Sequence, residues 1–218
     1  MSKIVSFQDY IIVACGVMAP ELNNLKDEGF LNAKKIIYTT PGLHQEPMEL
    51  EKQLLNKLKV AKEHGKKIII VYGGVYCYVN MRDPERTIDK VIDEMREEGY
   101  YISRTMVQNC IDMVASTKER EYIAGGEPVW FGTPGWLKFR DLVFKGWDKA
   151  HANENFPQYT GGALLLDTVD FFPKYMETNP EDILDFSDWS SLPLDAKDVQ
   201  MDRLKQVLID AMEKTDRP

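Results

Sequence analysis

The stretch Lys67-Ile-Ile-Ile-Val-Tyr72 decides the fold class, because it carries the strongest strand signal in the chain. A short continuous apolar run between Gly65 and Gly73-Gly74 is typical of a strand buried on both faces. It lies between two amphipathic segments, residues 46–63 and the helix expected after Asp83-Pro84. A buried strand flanked by helices predicts a parallel sheet with crossover connections.

The same alternation of strands and helices continues outward from this stretch. Further strands are predicted at residues 10–14, 35–39, 100–107, 128–131 and 162–166, and further helices at residues 20–28, 110–122 and 133–147. We predict one α/β domain over residues 1–218, with a mostly parallel doubly wound sheet and helices on both faces. Within it, residues 170–197 are predicted to be mostly irregular and residues 198–214 to form a C-terminal helix.

Composition excludes several classes of protein. The 218 residues are 44% hydrophobic and 28% charged, as in soluble globular proteins. A formal net charge of −8 argues against nucleic acid as a partner. No apolar run approaches the roughly 20 residues of a membrane span, and the N-terminal residues lack the apolar core of a signal peptide. We therefore expect a cytoplasmic protein that contacts neither nucleic acid nor membrane.

The three cysteines all follow predicted strands. Cys15 comes directly after the first strand, Cys77 lies beyond the third, and Cys110 lies beyond the fourth. Ligands of such sheets collect beyond the carboxyl ends of the strands, and thiolates select zinc, copper(I) and iron–sulfur clusters. The three cysteines therefore predict a metal or cluster site. The alternative is that each is a buried, unreactive thiol, since free cysteine often packs as a small hydrophobe.

The spacing of the cysteines excludes some kinds of metal site. No Cys-x-x-Cys pair is present, which excludes zinc ribbons and ferredoxin-type clusters. Three thiolates suit an open zinc site, or a cluster whose fourth ligand comes from His44, from solvent or from a partner; His44 is the weaker candidate. A helix beginning at Cys110 would stabilise its thiolate. Asp167, at another strand end, is either a carboxylate supporting the site or, as we favour, a cap for the following turn.

The sequence resembles a family of uncharacterised proteins, DUF1638, found in methanogenic archaea and various bacteria. The motifs that carry the resemblance occur in family order over roughly residues 10–170: Ala14-Cys15-Gly16, Leu43-His44 with Pro47, Gly73 to Cys77, Cys110-Ile111, and Gly132 to Trp136. The family pattern usually has Gly-x-Cys-Gly around the second cysteine and His-Asp before the third, where this chain has Val75-Tyr-Cys-Tyr78 and Gln108-Asn109. The resemblance implies a metal or cluster site and a role beside corrinoid-dependent methyltransferases.

Three functions remain open from the sequence. The first is an iron–sulfur accessory protein acting with corrinoid-dependent methylamine methyltransferases, with a methyltransferase or corrinoid protein as its partner. The second is a zinc-thiolate enzyme that alkylates a thiol or hydrolyses a substrate. The third is a structural or interaction protein without metal. For the first, Tyr76 and Tyr78 beside Cys77 are candidate interface residues, whereas Trp130 and Trp136 are more typical of core filling.

Overall fold

The computed structural model describes residues 5–74, 82–83 and 85–216, without the side chain of His44. Its strands are β1 (Tyr10–Cys15), β2 (Lys35–Thr39), β3 (Lys67–Val71), β4 (Tyr101–Arg104), β5 (Trp130–Gly132), β6 (Ala163–Asp167) and β7 (Leu194–Asp198). Its helices are α1 (Ala19–Asp27), α2 (Pro47–His64), α3 (Ile88–Glu97), α4 (Thr117–Ala124), α5 (Pro134–Lys138), α6 (Arg140–Val143), α7 (Lys149–Asn155), α8 (Phe172–Thr178), α9 (Pro180–Ser190) and α10 (Asp202–Thr215).

The strands form two sheets in which every described pairing is parallel. The first sheet has the order β2-β1-β3-β4 and the second has the order β5-β6-β7. The predicted α/β class is therefore confirmed. We predicted a single sheet from the sequence, and the structure has two. Hydrophobic periodicity indicates which residues are buried and does not indicate which strands pair. A single domain over residues 1–218 stays a prediction.

Helices cover both faces of the four-stranded sheet, as a doubly wound fold requires. Successive strand side chains point to opposite faces. Ile11 and Val13 accordingly join one apolar cluster with α2 and α3, while Ile12 and Ala14 join another with α1 and α10. The side chains of β3 alternate between the same two clusters, and four of its residues are fully buried. The continuous apolar run in β3 is thus explained by burial on both faces.

Two predicted helices begin elsewhere than expected. The N-cap of α3 is Thr87, whose side chain accepts from the Lys90 N–H, and not Asp83. In place of one helix over residues 110–122 there is a 3-10 turn, Ile111–Met113, followed by α4. Ser116 and Glu119 form a capping box at the start of α4, which fixes its first turn there.

The prediction that residues 170–197 are mostly irregular is wrong. This stretch contains α8, α9 and β7. In α9, Phe186 is buried and Ile183 and Trp189 pack against the core, at the three- and six-residue spacing of a helical face. Pro180 occupies the first turn, where its missing N–H costs nothing, and Glu181 and Asp182 favour the positive helix end. The predicted C-terminal helix is confirmed as α10, which starts at Asp202 because residues 194–198 pair as a strand.

None of the helices in the described ranges combines the length and the apolar character needed to cross a membrane.

Candidate functional site

The candidate site lies at the carboxyl end of the four-stranded sheet. Strand β1 lies between β2 and β3, so the chain crosses from one side of β1 to the other between consecutive strands. This reversal of strand order creates a crevice beyond the ends of β1 and β3, the place where open α/β sheets bind ligands. Cys15 is the last residue of β1, and Gly73-Gly74 follow β3. Topology therefore places the first predicted ligand at this crevice.

Cys15 and Cys110 come together there. Their thiols lie close enough to interact, although the residues belong to distant parts of the chain. Cys15 is 7% exposed and Cys110 is partly buried. The polar interaction with the Cys15 side chain, followed by desolvation and by the charge of a Cys15 thiolate, raises the pKa of Cys110 well above its ordinary value. Because Cys110 is only partly buried, the contact with Cys15 contributes more to the raised pKa than desolvation does.

The prediction that a helix beginning at Cys110 stabilises its thiolate is therefore wrong. Cys110 does not begin a long helix: it precedes the three-residue 3-10 turn, and α4 starts only at Thr117. The side-chain oxygen of Asn109 caps this turn, accepting a hydrogen bond from the Asp112 N–H at 2.9 Å. A single short turn lacks the summed peptide dipoles of a full helix, so it does not offset the neighbouring thiol.

The loop after β3 begins directly beside Cys110. A Cβ on Gly73 would lie 2.1 Å from the carbonyl carbon of Asn109 and 2.2 Å from the Cys110 nitrogen, so only glycine fits. The Gly73 backbone also lies near the Cys110 sulfur, which lowers the Cys110 pKa and partly opposes the effect of Cys15. At Gly73 the loop thus approaches the backbone of Asn109 and Cys110 closely.

The remaining predicted ligands are only partly located. Cys77 lies outside the described residues, as do Tyr76 and Tyr78, so its convergence with the other cysteines stays a prediction. His44 belongs to the 3-10 turn Leu43–Gln45 after β2, and its side chain lies outside the description. Within the part of the chain that the structure describes, no group of three His, Cys, Asp or Glu side chains is arranged to hold a metal ion.

Sequence reasoning missed Glu21, a fully buried carboxyl on α1 near Cys110. Neither of its side-chain oxygens has a hydrogen-bond partner of good geometry among the described residues. Desolvation raises the pKa of Glu21 to about 8, and the charges of Asp167 and Cys110 add to this effect. A signal was present: Glu21 lies four residues before the buried Leu25, on the inward face of α1.

The carboxyl end of the second sheet faces Glu21. Thr133, which follows β5, is fully buried and lies close enough to lower the Glu21 pKa slightly, yet its hydroxyl makes no bond of good geometry within the described chain. The junction between the two edges is tight. A Cβ on Gly135 would lie 1.7 Å from the Val17 carbonyl oxygen, so a side chain there would force the edges apart.

Asp167 ends β6 and has a structural role. It accepts hydrogen bonds from the backbone N–H groups of Val169 and Phe171 at 3.0 Å and of Phe172 at 2.7 Å. These bonds hold the turn between β6 and α8, and the favoured interpretation as a turn cap is confirmed. A carboxylate with three donors in place needs no metal to satisfy it.

The tryptophans considered as interface candidates pack in the core region. Trp130 and Trp136 contact each other edge to face at 5.7 Å, and both pack against the buried cluster that includes Phe144 and Phe186. The core-filling interpretation of these two residues is confirmed.

Comparison with known proteins gives a family and no activity. No curated protein and no solved structure matches the chain. A family model described as a protein of unknown function, DUF1638, matches residues 38–208, a range that includes Cys77 and Cys110 and begins after Cys15. Since this range covers most of the chain, the protein belongs to the DUF1638 family.

Proposed function

We propose that this protein binds a metal centre through Cys15, Cys110 and Cys77, with an iron–sulfur cluster as the first candidate. The observation that carries the proposal is the neighbouring pair of thiols Cys15 and Cys110 at the crevice of the sheet. Two thiols from distant parts of the chain, placed together where such folds bind ligands, form the beginning of a soft ligand set.

The electrostatics of the pair suit a bound cation. The Cys15 thiol raises the cost of ionising Cys110, so Cys110 holds its proton as long as nothing positive lies beside it. A metal ion reverses this effect, since a coordinating thiol loses its proton outright. The raised pKa of Cys110 is therefore compatible with a ligand role, and it predicts that binding releases protons.

The third thiol of the proposed ligand set, Cys77, follows closely in sequence the loop beside this pair. Gly73 touches the backbone of Cys110, and Cys77 follows Gly73 by four residues. Four residues of chain span at most about 14 Å, so the backbone does not keep Cys77 away from the site. The fourth ligand would come from His44, from solvent or from a partner protein.

A bound cluster supplies one-electron transfer. We assign the chain an accessory role in the cytoplasm beside corrinoid-dependent methylamine methyltransferases, with a methyltransferase or corrinoid protein as partner. This part of the proposal rests on the family resemblance and on no contact within the chain. The thiols and Glu21 would hold and orient the site and keep water out of it.

Glu21 favours a second candidate, a zinc-thiolate enzyme. A buried carboxyl with a pKa of about 8 carries a proton at neutral pH, which is the property of a general acid. Its charge interacts with Cys110, so the two groups lie in the same electrostatic neighbourhood. In this alternative, Glu21 would give a proton to a leaving group or take one from an attacking thiol or water.

Anaerobic purification followed by elemental analysis and visible absorption tests the proposal. We expect stoichiometric iron and a brown colour, with most of the metal lost in Cys15→Ser, Cys77→Ser and Cys110→Ser, because serine is a hard and poorly ionised ligand. Stoichiometric zinc in colourless protein would support the enzyme instead.

Met113→Leu is the matched control, since Met113 is a buried sulfur residue in the turn after Cys110. Its volume is nearly conserved and it provides no thiolate, so the metal content should not change. Folded wild-type protein without metal would overturn both candidates, as would Cys→Ser variants that keep their metal.

A further inference from the structure

A hollow of about 260 Å³ opens between α6 and α9, away from the cysteines in sequence. Its aromatic walls are Phe144, Trp147, Phe186 and Trp189, and Arg140, Asp141 and Asp185 complete the lining. Phe144 and Phe186 are buried at 9% and 2% exposure, whereas Trp147 and Trp189 are partly exposed. The hollow is therefore an aromatic recess that solvent can enter.

The rings of this recess are tilted against one another. Phe144 lies 4.9 Å from Trp189 and 5.5 Å from Trp147, centroid to centroid, with interplanar angles of 54° and 60°. Trp147 and Trp189 are 6.4 Å apart and tilted by 47°. Phe144 therefore packs directly against both tryptophans, and Trp147 and Trp189 are the two partly exposed rings that can face a ligand. The Trp147 indole N–H donates to Gln45 at 3.1 Å, which fixes one wall in place.

The charge around the recess is negative. Arg140 lies within 3.7 Å of the carboxylates of Asp141, Asp182 and Asp185, so one cation faces three anions. Its guanidinium also donates to the Asp182 carbonyl oxygen at 2.6 Å. Arg140 is thus engaged with protein groups, and the lining of the recess, with Asp141 and Asp185 against Arg140, carries one carboxylate in excess.

We propose that this recess binds a methylated ammonium group. Such a cation is attracted to the negative faces of aromatic rings, and aromatic boxes are the usual means of recognising it. The small volume suits a head group and not a large ligand. Asp141 and Asp185 are 94% and 72% exposed, so water screens their charges and the rings contribute most of the attraction. The proposal is independent of the metal site.

Choline is the probe, and dimethylbutanol, its neutral carbon isostere, is the matched comparison. Ligand-observed NMR and tryptophan fluorescence of the full chain should show saturable choline binding, with the isostere at least about tenfold weaker. A peptide with a trimethyllysine side chain distinguishes the source of the group: tighter binding of the peptide identifies a modified protein, and tighter binding of choline identifies a small molecule.

Variants locate the site. Trp147→Leu should weaken choline binding about tenfold and Trp147→Phe should recover much of it, because the second variant keeps a ring. Asp185→Asn should weaken it by about twofold to threefold. Asp188→Asn is the control, since Asp188 pairs with Lys149 and does not line the recess.

Equal binding of choline and its isostere, or no saturation, would overturn the proposal even if Trp147→Leu failed to fold. So would a folded Trp147→Leu variant that binds choline as the wild type does.

Discussion

Two buried carboxyls face each other across the two sheet edges, and their surroundings are opposite. Asp167 accepts three backbone hydrogen bonds at 2.7 to 3.0 Å. Glu21, fully buried, has no hydrogen-bond partner of good geometry among the described residues, and burial raises its pKa to about 8. Donors that are already in place make Asp167 a structural group. Glu21 lacks such donors, so its burial lowers the stability of the folded protein, as is common for residues of functional sites.

The largest expected effect on stability comes from removing the Asp167 carboxylate. Asp167→Ala leaves three backbone N–H groups without their acceptor and should lower the free energy of unfolding by about 3–5 kcal/mol. Glu21→Met, an apolar side chain of similar length, should instead raise it at pH 7 by about 1–3 kcal/mol. Urea unfolding of both variants measures the contrast. Equal losses in the two would mean that Glu21 is satisfied like Asp167.

The second test is the pH dependence that Glu21 creates. Its pKa rises from an ordinary value of 4.5 to about 8 on folding, so the folded state keeps a proton that the unfolded state loses. The resulting stabilisation is complete below pH 4.5, declines as the pH rises, and is gone above about pH 8. The decline should amount to about 5 kcal/mol at most.

Urea unfolding of chelator-treated protein between pH 5 and 9 measures this slope. Glu21→Met should remove it and leave the rest of the pH profile in place. A slope that is unchanged in Glu21→Met would assign it to other groups.

The smallest expected effect concerns Thr133, which faces Glu21. Thr133→Val removes a buried hydroxyl that has no good hydrogen bond, so stability should change by less than about 1 kcal/mol. Thr105→Val is the matched control: the Thr105 hydroxyl donates to the Tyr72 carbonyl at 2.8 Å and accepts from its N–H. That variant should lose about 2 kcal/mol. A comparable loss in Thr133→Val would show that Thr133 is already bonded.

Much of the four-stranded sheet could be predicted, because its signals are local. The apolar run of β3, the spacing of Leu50, Leu54 and Leu58 in α2, and Gly65 after that helix each depend on a few neighbouring residues. The segment after β6 could not be predicted in the same way. Its Pro and Asp residues resemble those of a loop, and α9 is stabilised by contacts of Phe186 and Trp189 with aromatic rings from distant segments.

The residues of the candidate site also differ in how far the sequence alone could predict them. The sequence alone indicated Cys15 and Cys110 as strand-end residues and Asp167 as a turn cap, because each follows a recognisable strand. It did not locate Glu21 at the site, since an acidic residue in an amphipathic helix is usually solvated. Only the parallel order β2-β1-β3-β4 brings the two thiols into contact, and only the second sheet buries Glu21 behind Thr133. Contact and desolvation are properties of packed surfaces, and for that reason the pKa values of Cys110 and Glu21 were decided by the tertiary structure.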